Sequence, residues 1–551
     1  MIVLRGVVGR GAGPSPWGAA QGEVFAGEGW RFELAGDAST RLIRLDGGVL
    51  IHDGRVDEPV PAAAARNGAW LEVRWDAPEA LGFCADRLGT VPVYWGVRDG
   101  QAWFSTRLVD LVGCGFGDPD PLGIMQMVML NQATGTRTVV AGVSLMPCAT
   151  SLTLRAAGAQ VHDRYWAPSI SDEPVDDARR WIDEGVSVIR AANRRAIETA
   201  LPGKVAWPLT GGLDSRCNSG CCADLIGAED LFFHVDDMGD FELPIARKLA
   251  RVYGREVREF KSEPSMRNAP ETDLALDSGD FNVGHWRLAG TARTLAQDHG
   301  CRVTVDGFLQ GILMNPAMFF HEGSVDHARA RCFSMASFRA ERFMLPREHP
   351  VFARFREDYE DSFPTQGGGL GASQQFIMEN RSRRMVYGIV RLNANYLDVR
   401  TPGLDTAFID YAMRLPWYLR KGARAYKEII GVIDPRLAAI EHDKTGLPLS
   451  AGPGLSRRRK ASKFFTYYVN RIWPGEPLIK GKETAFERLL RTDKAFRERV
   501  YQVIAASRWV GEVFGKGIVE VFERQRTSRG LSFDGIGALL TVALLERAPR
   551  S

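Results

Sequence analysis

The stretch Thr210-Gly211-Gly212-Leu213-Asp214-Ser215-Arg216 follows a short apolar run, Lys204 to Leu209, and precedes a segment of helical character. Two adjacent glycines let the backbone bend sharply and approach a ligand closely. In such a turn, unpaired N–H groups and the helix N-terminus face one anion. The stretch therefore predicts a pyrophosphate cradle, although a strand, a glycine pair and a helix are by themselves also compatible with a tight structural connection.

The polar side chains of this loop fit the same ligand. The hydroxyls of Thr210 and Ser215 can donate to a phosphate, and the carboxylate of Asp214 can hold a magnesium ion that bridges phosphate oxygens. The loop contains neither the GxxxxGK[ST] pattern of a Walker loop nor the GxGxxG pattern of dinucleotide-binding folds. It therefore predicts a phosphate cradle of another class.

Strands and helices alternate after the loop. A helix is expected over Cys217 to Leu225, a strand over Asp230 to Val235, a helix over Leu243 to Tyr253 and a strand over Glu256 to Phe260. Such alternation predicts a parallel sheet whose loops at the carboxyl ends of the strands bind a nucleotide.

The remainder of this half reads as mainly helical, with one further strand, Arg302 to Val305. The Gly-rich stretch Gly367 to Gly371 is expected to be a mobile loop. The basic segment Arg457 to Lys460 precedes the aromatic run Phe464 to Tyr468. We interpret this pair as a solvated loop beside a packed helix, with a binding role as the alternative.

The first part of the chain is rich in β-forming residues up to about Trp166. Strands are predicted at Arg41 to Ile51, Trp70 to Trp75, Leu81 to Ala85, Val91 to Val97 and Ala102 to Ser105. A long amphipathic helix is predicted over Ala178 to Ala200. The change of pattern places a boundary near residues 167–176 and predicts two domains, 1–170 and 171–551.

Composition excludes several classes of protein. With 551 residues and 45% hydrophobic content, the chain is too long for one compact core. The formal charge of +3 provides no global field that favours nucleic acid or an anionic membrane. The eight cysteines lack paired CxxC spacing and are expected to be reduced and mostly buried. No signal sequence or membrane-spanning run is evident, so a cytoplasmic protein is expected.

The loop resembles the SGGxDS signature of the asparagine synthetase type of ATP pyrophosphatases, with Thr210 in place of the first serine. Other segments of this chain resemble the family's RDRxGxxPLYY, FAS and GVxxLPPG…YW motifs, namely Ala85 to Tyr94, Phe104 to Thr106, and Gly142 to Pro147 followed by Tyr165-Trp166. Thr401 to Asp405, Leu415-Pro416, Lys427 and Asp443 to Pro448 follow the family's order and spacing. The resemblance implies an α/β protein with a glutaminase-like αββα domain of the Ntn-hydrolase type and a C-terminal ATP pyrophosphatase domain.

The resemblance also implies a reaction. Members activate a carboxylate with ATP and Mg²⁺, release pyrophosphate and leave an acyl-adenylate that an amine attacks. The residues implied for phosphate and magnesium are Thr210, Gly211, Gly212, Asp214 and Ser215, and those implied for adenine are Phe232, His234 and Val235. Lys427 and Lys444 match two family lysines that neutralise charge on departing phosphate or on the tetrahedral intermediate.

One departure from the family concerns the source of nitrogen. Glutamine-using relatives begin Met-Cys-Gly-Ile, and their cysteine is an N-terminal nucleophile. Here the matching stretch is Arg5 to Gly9, with Arg5 in the cysteine position. An arginine cannot attack an amide, so glutamine hydrolysis is expected to be absent. Similarity to β-lactam synthetases and lasso-peptide cyclases follows, because these enzymes join an amine that the substrate already carries.

A second departure concerns the metal and the base. The stretch Val305 to Ile312 matches a turn in which relatives carry a second magnesium-binding aspartate, yet Gly311 occupies that position. Asp306 is the candidate replacement; the alternative is that it merely starts a turn. Phe308 stands where β-lactam synthetase has a catalytic tyrosine, which argues against β-lactam closure. Glu379 is a candidate general base, and a salt bridge with Arg381 to Arg384 is its alternative.

Three hypotheses follow from these features. The first is a lasso-peptide macrolactam synthetase that joins an Asp or Glu side chain of a precursor peptide to the N-terminal amine of that peptide. The precursor peptide is then the expected partner, together with a leader peptidase, and neither nucleic acid nor membrane is involved. The second is an amide ligase or amidotransferase that acts on a small metabolite or polysaccharide with ammonia or a free amine. The third is a degenerate scaffold that binds a partner peptide without chemistry, motivated by Gly311.

Overall fold

The structure is a computed structural model. It describes residues 2–9, 22–36, 40–53, 62–75, 77–170, 177–236, 242–262, 281–285, 289–316, 321–337, 350–451, 485–515, 517–518, 520 and 533–547. The basic segment 457–460 and the aromatic run 464–468 lie outside these residues.

Twelve strands of the N-terminal part form two antiparallel sheets of six strands each. The strands are β1 Val3–Val8, β2 Glu23–Gly27, β3 Trp30–Ala35, β4 Thr40–Leu45, β5 Gly48–Asp53, β6 Trp70–Arg74, β7 Ala80–Ala85, β8 Tyr94–Arg98, β9 Gln101–Ser105, β10 Val143–Leu145, β11 Ser151–Arg155 and β12 Gly158–Val161. Their orders are β10-β8-β9-β1-β3-β2 and β12-β11-β7-β6-β5-β4. The two sheets share one apolar core, in which the rings of Phe83 and Phe104 meet edge to face with centroids 5.0 Å apart.

The C-terminal part contains a parallel sheet of five strands, in the order β15-β14-β13-β16-β17. These strands are β13 Lys204–Pro208, β14 Leu231–Asp236, β15 Val257–Lys261, β16 Cys301–Val305 and β17 Asp398–Arg400. The predicted strands at 204–209, 230–235, 256–260 and 302–305 are confirmed. The molecule is therefore a mixed α/β protein with two antiparallel sheets, one parallel sheet and many helices.

The α-helices of the described residues are α1 Leu108–Gly113, α2 Pro121–Leu130, α3 Ala178–Glu198, α4 Asp214–Cys221, α5 Leu243–Val252, α6 Ala289–Gln297, α7 Gln310–Met314, α8 Val325–Ser337, α9 Pro350–Ser362, α10 Gly368–Phe376, α11 Tyr387–Asn393, α12 Thr406–Arg414, α13 Trp417–Arg420, α14 Arg424–Ile433, α15 Pro435–Ala438, α16 Ala485–Thr492, α17 Lys494–Ala505, α18 Arg508–Phe514 and α19 Phe533–Glu546. A π-helical segment, Ile377–Val386, connects α10 to α11. Among these helices, none is long and apolar enough to cross a membrane.

Two predictions of local structure are wrong. The stretch 367–371 was expected to be a loop, yet α10 begins at Gly368. A Cβ on Gly369 would lie 2.6 Å from the carbonyl oxygen of Gly323, so the missing side chain allows α10 to pack against that backbone. The single strand expected over residues 41–51 is a hairpin, because β4 and β5 pair antiparallel on either side of a turn at Asp46 and Gly47.

Two arginines of the π-helical segment form hydrogen bonds to the N-terminal part of the molecule. The guanidinium of Arg383 donates to the carbonyl oxygens of Gly89 and Met146, at 2.9 and 2.7 Å. Its neighbour Arg384 donates to the carbonyl oxygen of Gly135 at 2.6 Å. Since both arginines are buried, these bonds join the π-helical segment firmly to the N-terminal part.

All eight cysteines lie within the described residues, and none is joined in a disulfide. The six buried ones are Cys148, Cys217, Cys221, Cys222, Cys301 and Cys332. Burial raises the pKa of the Cys148 and Cys332 thiols to about 11 and about 12, which keeps them protonated and unreactive at neutral pH. The prediction of mostly buried thiols is confirmed.

Candidate functional site

The order of the parallel strands creates a crevice beside β13. From β13 the chain moves outward through β14 and β15, then returns to the other side of β13 at β16. The connections that leave β13 and β16 therefore diverge at the carboxyl ends of these strands. In open α/β sheets, ligands bind at such a switch point. The loops that follow the two strands begin at Leu209 and at Asp306.

The loop after β13 is closed by its own hydroxyl groups. Ser215 Oγ accepts a hydrogen bond from the Thr210 N–H, and the two hydroxyl oxygens lie 3.1 Å apart. Thr210 Oγ1 also accepts from the Gly212 N–H at 3.1 Å. In this state of the chain, the two hydroxyls predicted to bind phosphate thus shape the loop that carries the glycines.

The backbone of Gly211 is held from two sides. Its N–H donates to the Glu242 carboxylate at 3.2 Å, and its carbonyl oxygen accepts from the Asp443 N–H at 3.0 Å. Glu242 directly precedes α5, and Asp443 begins the Asp443 to Pro448 motif. Contacts across more than 200 residues therefore bring this motif to the glycine loop.

Asp214 lies at the first turn of α4, on the wall of the crevice. Its side chain is half-buried, and Oδ1 is buried without a hydrogen-bond partner among the described residues. Burial raises the pKa of this carboxyl to about 7, while the Tyr426 hydroxyl and the Lys444 ammonium oppose the rise. A carboxylate oxygen with no partner in a buried position is the kind of group that a cation would satisfy.

The turn after β16 presses against Asp214. A Cβ on Gly307 would lie 2.5 Å from Asp214 Cβ, and a Cβ on Gly311 would lie 2.8 Å from Asp214 Oδ2. Neither position has room for a side chain while Asp214 keeps its place. A side chain at position 311, where the resemblance led us to expect an aspartate, would therefore require the Asp214 carboxylate to move.

Asp306 is the first residue of the same turn. Its N–H donates to the Arg400 carbonyl at 2.8 Å, and its Oδ1 accepts from the Phe308 N–H at 2.7 Å. Burial raises the pKa of Asp306, and the charge of Asp306 in turn raises the pKa of Asp214. The structure thus brings the two predicted metal ligands together, although Asp306 also starts the turn as the alternative supposed.

Phe308 does not face the crevice. Its ring is buried and packs on Tyr387 with centroids 4.9 Å apart. The aromatic ring has instead become part of the core beneath the turn.

A buried arginine that the sequence did not single out as functional supports the lysine motif. The Arg216 guanidinium donates to the carbonyl oxygens of Leu437, Ile440 and Glu441, at 2.8, 2.8 and 2.9 Å. Burial lowers the pKa of Arg216 to about 10, so the group stays charged near neutrality. Its only signal in the sequence was its position directly after the glycine loop. It fixes the chain just before Lys444.

The two lysines have different surroundings. Lys444 is exposed, and its charge lowers the pKa of Asp214, so the ammonium lies at the mouth of the crevice. Lys427 is half-buried on α14, one residue after Tyr426, whose hydroxyl lies at the floor of the site. The structure therefore brings Lys444 to Asp214 and places Lys427 on an adjoining helix.

The residues expected near adenine lie on β14. Phe232 is buried and stacks on Tyr253 with ring centroids 5.3 Å apart. His234 is also buried, and its Nδ1 lies 2.8 Å from the carbonyl oxygen of Leu209, just before the glycine loop. Val235 is half-buried at the carboxyl end of the strand. Of the three, His234 is the one tied to the glycine loop, and Phe232 is used by the core.

Two other sequence predictions concern residues outside the crevice. Glu379 forms an ion pair with Arg164, a partner the sequence did not suggest. Arg5 is buried on β1, where it forms an ion pair with Glu33 and lies 3.7 Å from Asp110. Position 5, which the sequence comparison aligned with a nucleophilic cysteine, thus holds an arginine that is paired with Glu33 on the sheet.

The residues present suit a magnesium ion that takes most of its ligands from elsewhere. Within the described ranges, no three His, Cys, Asp or Glu side chains converge on a single point. Mg²⁺ commonly binds through one or two carboxylates plus phosphate oxygens and water. Asp214, with its unsatisfied Oδ1, and the adjacent Asp306 fit that requirement.

Comparison with known proteins adds no assignment to this geometry. No protein-family profile matches the chain. No curated protein matches it at a significant level either.

Proposed function

We propose that this chain is an ATP-dependent carbon–nitrogen ligase of the asparagine synthetase type, with ATP and Mg²⁺ as cofactors. The observation that carries the proposal is the meeting of Asp214, Asp306 and the Gly211 loop at the switch point of the parallel sheet. We further propose that residues 171–551 form the ATP pyrophosphatase domain, and that the antiparallel sandwich of residues 1–170 is a glutaminase-like domain without glutaminase chemistry.

In this proposal, a carboxylate oxygen of the substrate attacks the α-phosphorus of ATP and pyrophosphate leaves. An amine nitrogen then attacks the acyl carbon of the adenylate, loses its proton, and AMP leaves. Asp214 and Asp306 would hold the magnesium ion, which would supply positive charge to the phosphates of ATP. In the ligand-free loop the N–H groups of Thr210, Gly211 and Gly212 donate to Ser215, Glu242 and Thr210, so pyrophosphate would bind the loop backbone by displacing these partners. Lys444, at the mouth of the crevice, adds a cation where negative charge develops.

The amine belongs to the substrate itself. Arg5, in place of a nucleophilic cysteine, is committed to an ion pair with Glu33, so the chain has no means here to release ammonia from glutamine. We therefore propose that the enzyme closes a macrolactam in a lasso precursor peptide, by joining an Asp or Glu side chain to the N-terminal amine. A leader peptidase that exposes this amine is the partner that such a reaction requires.

An exchange assay tests the proposal. The purified chain, a precursor peptide, ATP and Mg²⁺ are incubated with labelled pyrophosphate, and label incorporated into ATP reports reversible adenylation. We expect exchange that Asp214→Ala abolishes and that Asp183→Ala, an exposed aspartate on α3, leaves unchanged. A product lighter by one water identifies ring closure. Absence of exchange with every peptide and small carboxylate tried would favour a peptide-binding scaffold.

A further inference from the structure

A buried amide lies between three elements of the site. Gln310 is fully buried at the start of α7, and both polar atoms of its side chain are bonded. Its Nε2 donates to Asn218 Oδ1 at 2.8 Å, and its Oε1 accepts from the Tyr426 hydroxyl at 3.1 Å. A buried glutamine has to satisfy these groups or lose stability, so the arrangement is specific to this packing.

Each partner of Gln310 belongs to an element that carries a site residue. Asn218 lies on α4, the helix that begins at Asp214. Tyr426 lies on α14 beside Lys427. Gln310 itself closes the turn that begins at Asp306. One side chain therefore connects the elements that carry both carboxylates and one of the lysines.

The turn that Gln310 closes adopts an unfavourable backbone. Leu309 has φ +70°, a backbone conformation that residues other than glycine seldom adopt. On the other side of the turn, a Cβ on Gly403 would lie 2.2 Å from the Phe308 carbonyl oxygen. Such a conformation persists only where the surroundings fix it, and it recurs where function requires it. The bonds of Gln310 are part of that constraint.

We propose that Gln310 is a positioning residue for the divalent cation: it holds the turn at Asp306 against Asp214, so that two carboxylates serve a site in which position 311 has none. This inference rests on the proposed function. The hydroxyl of Tyr426 donates to Gln310 Oε1 and also interacts with the Asp214 carboxyl, so Tyr426 and Gln310 belong to the same network. Gln310 touches neither the cation nor the nucleotide and acts through the turn that it closes.

Mn²⁺ binding tests the proposal without relying on turnover. Mn²⁺ is titrated into the intact chain with a non-hydrolysable ATP analogue, and free Mn²⁺ is measured by electron paramagnetic resonance. Gln310→Met keeps the volume and removes both hydrogen bonds. The matched control is Gln126→Met, because Gln126 is also fully buried and also has two bonded partners, on α2 in the N-terminal part.

We expect Gln310→Met to weaken Mn²⁺ binding by about tenfold, as loss of an outer-shell partner does. Affinity for the nucleotide in the presence of a chelator stays unchanged. Gln126→Met lowers the midpoint of thermal unfolding without changing Mn²⁺ affinity.

Three results overturn the inference and are distinguishable. If the native chain binds Mn²⁺ and Gln310→Met binds it equally well, only the positioning role fails. If the native chain binds no Mn²⁺ with the nucleotide present, the proposed ATP site fails and the positioning role fails with it. Equal loss of affinity in Gln310→Met and Gln126→Met also refutes the inference, because general destabilisation then explains both.

Discussion

Gly311 and Asp214 are in such close contact that a Cβ on the glycine would lie 2.8 Å from Oδ2 of the carboxylate. A distance below 3.0 Å is not sustained between such atoms, so any side chain at 311 displaces Asp214. An aspartate at position 311 would therefore fit only if the Asp214 carboxylate moved. In the proposed magnesium site, the second carboxylate is that of Asp306, at the start of the same turn.

Introducing an aspartate at position 311 is therefore expected to harm the proposed activity. Gly311→Asp and Gly311→Ala should each lower the pyrophosphate exchange rate by about a hundredfold, because small displacements of a reacting group cost that much. The control is Gly511→Ala on α18, where an added Cβ meets no atom within 4 Å. An active Gly311→Asp variant would show that Asp214 moves freely, and would contradict the role of Asp306.

The stability of the ligand-free protein should reveal the charge on Asp214. The folded pKa of about 7 exceeds the ordinary value of 3.8, so the folded state binds the extra proton. The stability that the folded protein gains from this protonation is fully present below pH 3.8 and is lost as the pH rises through about 7. Asp214→Asn should therefore raise the free energy of unfolding at pH 8 by on the order of 3 kcal/mol, and hardly at all at pH 4.

Urea unfolding without nucleotide and Mg²⁺ measures this difference. The exposed Asp183→Asn serves as the control and should show no pH-dependent gain. Equal stability of Asp214→Asn and the native chain at pH 8 would mean that the carboxylate is well solvated, and the cation site would lose its main support.

The paired guanidinium at Arg5 should be essential for the fold and irrelevant to nitrogen supply. Arg5→Met leaves Glu33 buried and unpaired, which should cost about 3 kcal/mol or more of unfolding free energy. Arg44→Met removes an exposed pair with Glu23 and should cost little. Neither the native chain nor Arg5→Cys should release glutamate from glutamine. Measurable glutamate would show that the N-terminal part retains glutaminase chemistry.

Local pattern predicted four of the five strands of the parallel sheet, but it missed the three-residue strand β17 Asp398–Arg400 and the packing around the sheet. The strands at 204–209 and 302–305 are apolar runs next to glycine turns, and such runs are visible in sequence. In contrast, α10 starts in a glycine cluster because Gly369 packs against a distant backbone, and no local signal reports that contact. The hydrogen-bond roles of Arg216 and Gln310 could not be predicted from the sequence for the same reason, since their partners lie up to 225 residues away.

Substitutions can distinguish two roles for Glu379, that of a general base and that of an ion-pair partner of Arg164. If its role is to bind Arg164 across the two parts of the molecule, Glu379→Gln and Arg164→Met should reduce exchange and product formation by the same small factor. A general base behaves differently, because its loss costs about a hundredfold or more in the amine step. Ring-closed product is quantified for both variants under single-turnover conditions. A large loss in Glu379→Gln alone would establish the base.

Lys444 is expected to act on departing phosphate without holding the fold. Its exposed side chain lies at the mouth of the crevice, close enough for its charge to lower the pKa of Asp214. Lys444→Met should slow exchange by about a hundredfold, the usual cost of one preorganised charge, with an unchanged unfolding midpoint. Lys444→Arg should recover part of the rate. Lys248→Met is the matched control, since Lys248 pairs with Glu441 in the same segment and should leave exchange intact. If both lysine variants lose activity equally, the effect comes from the segment rather than from the ammonium of Lys444.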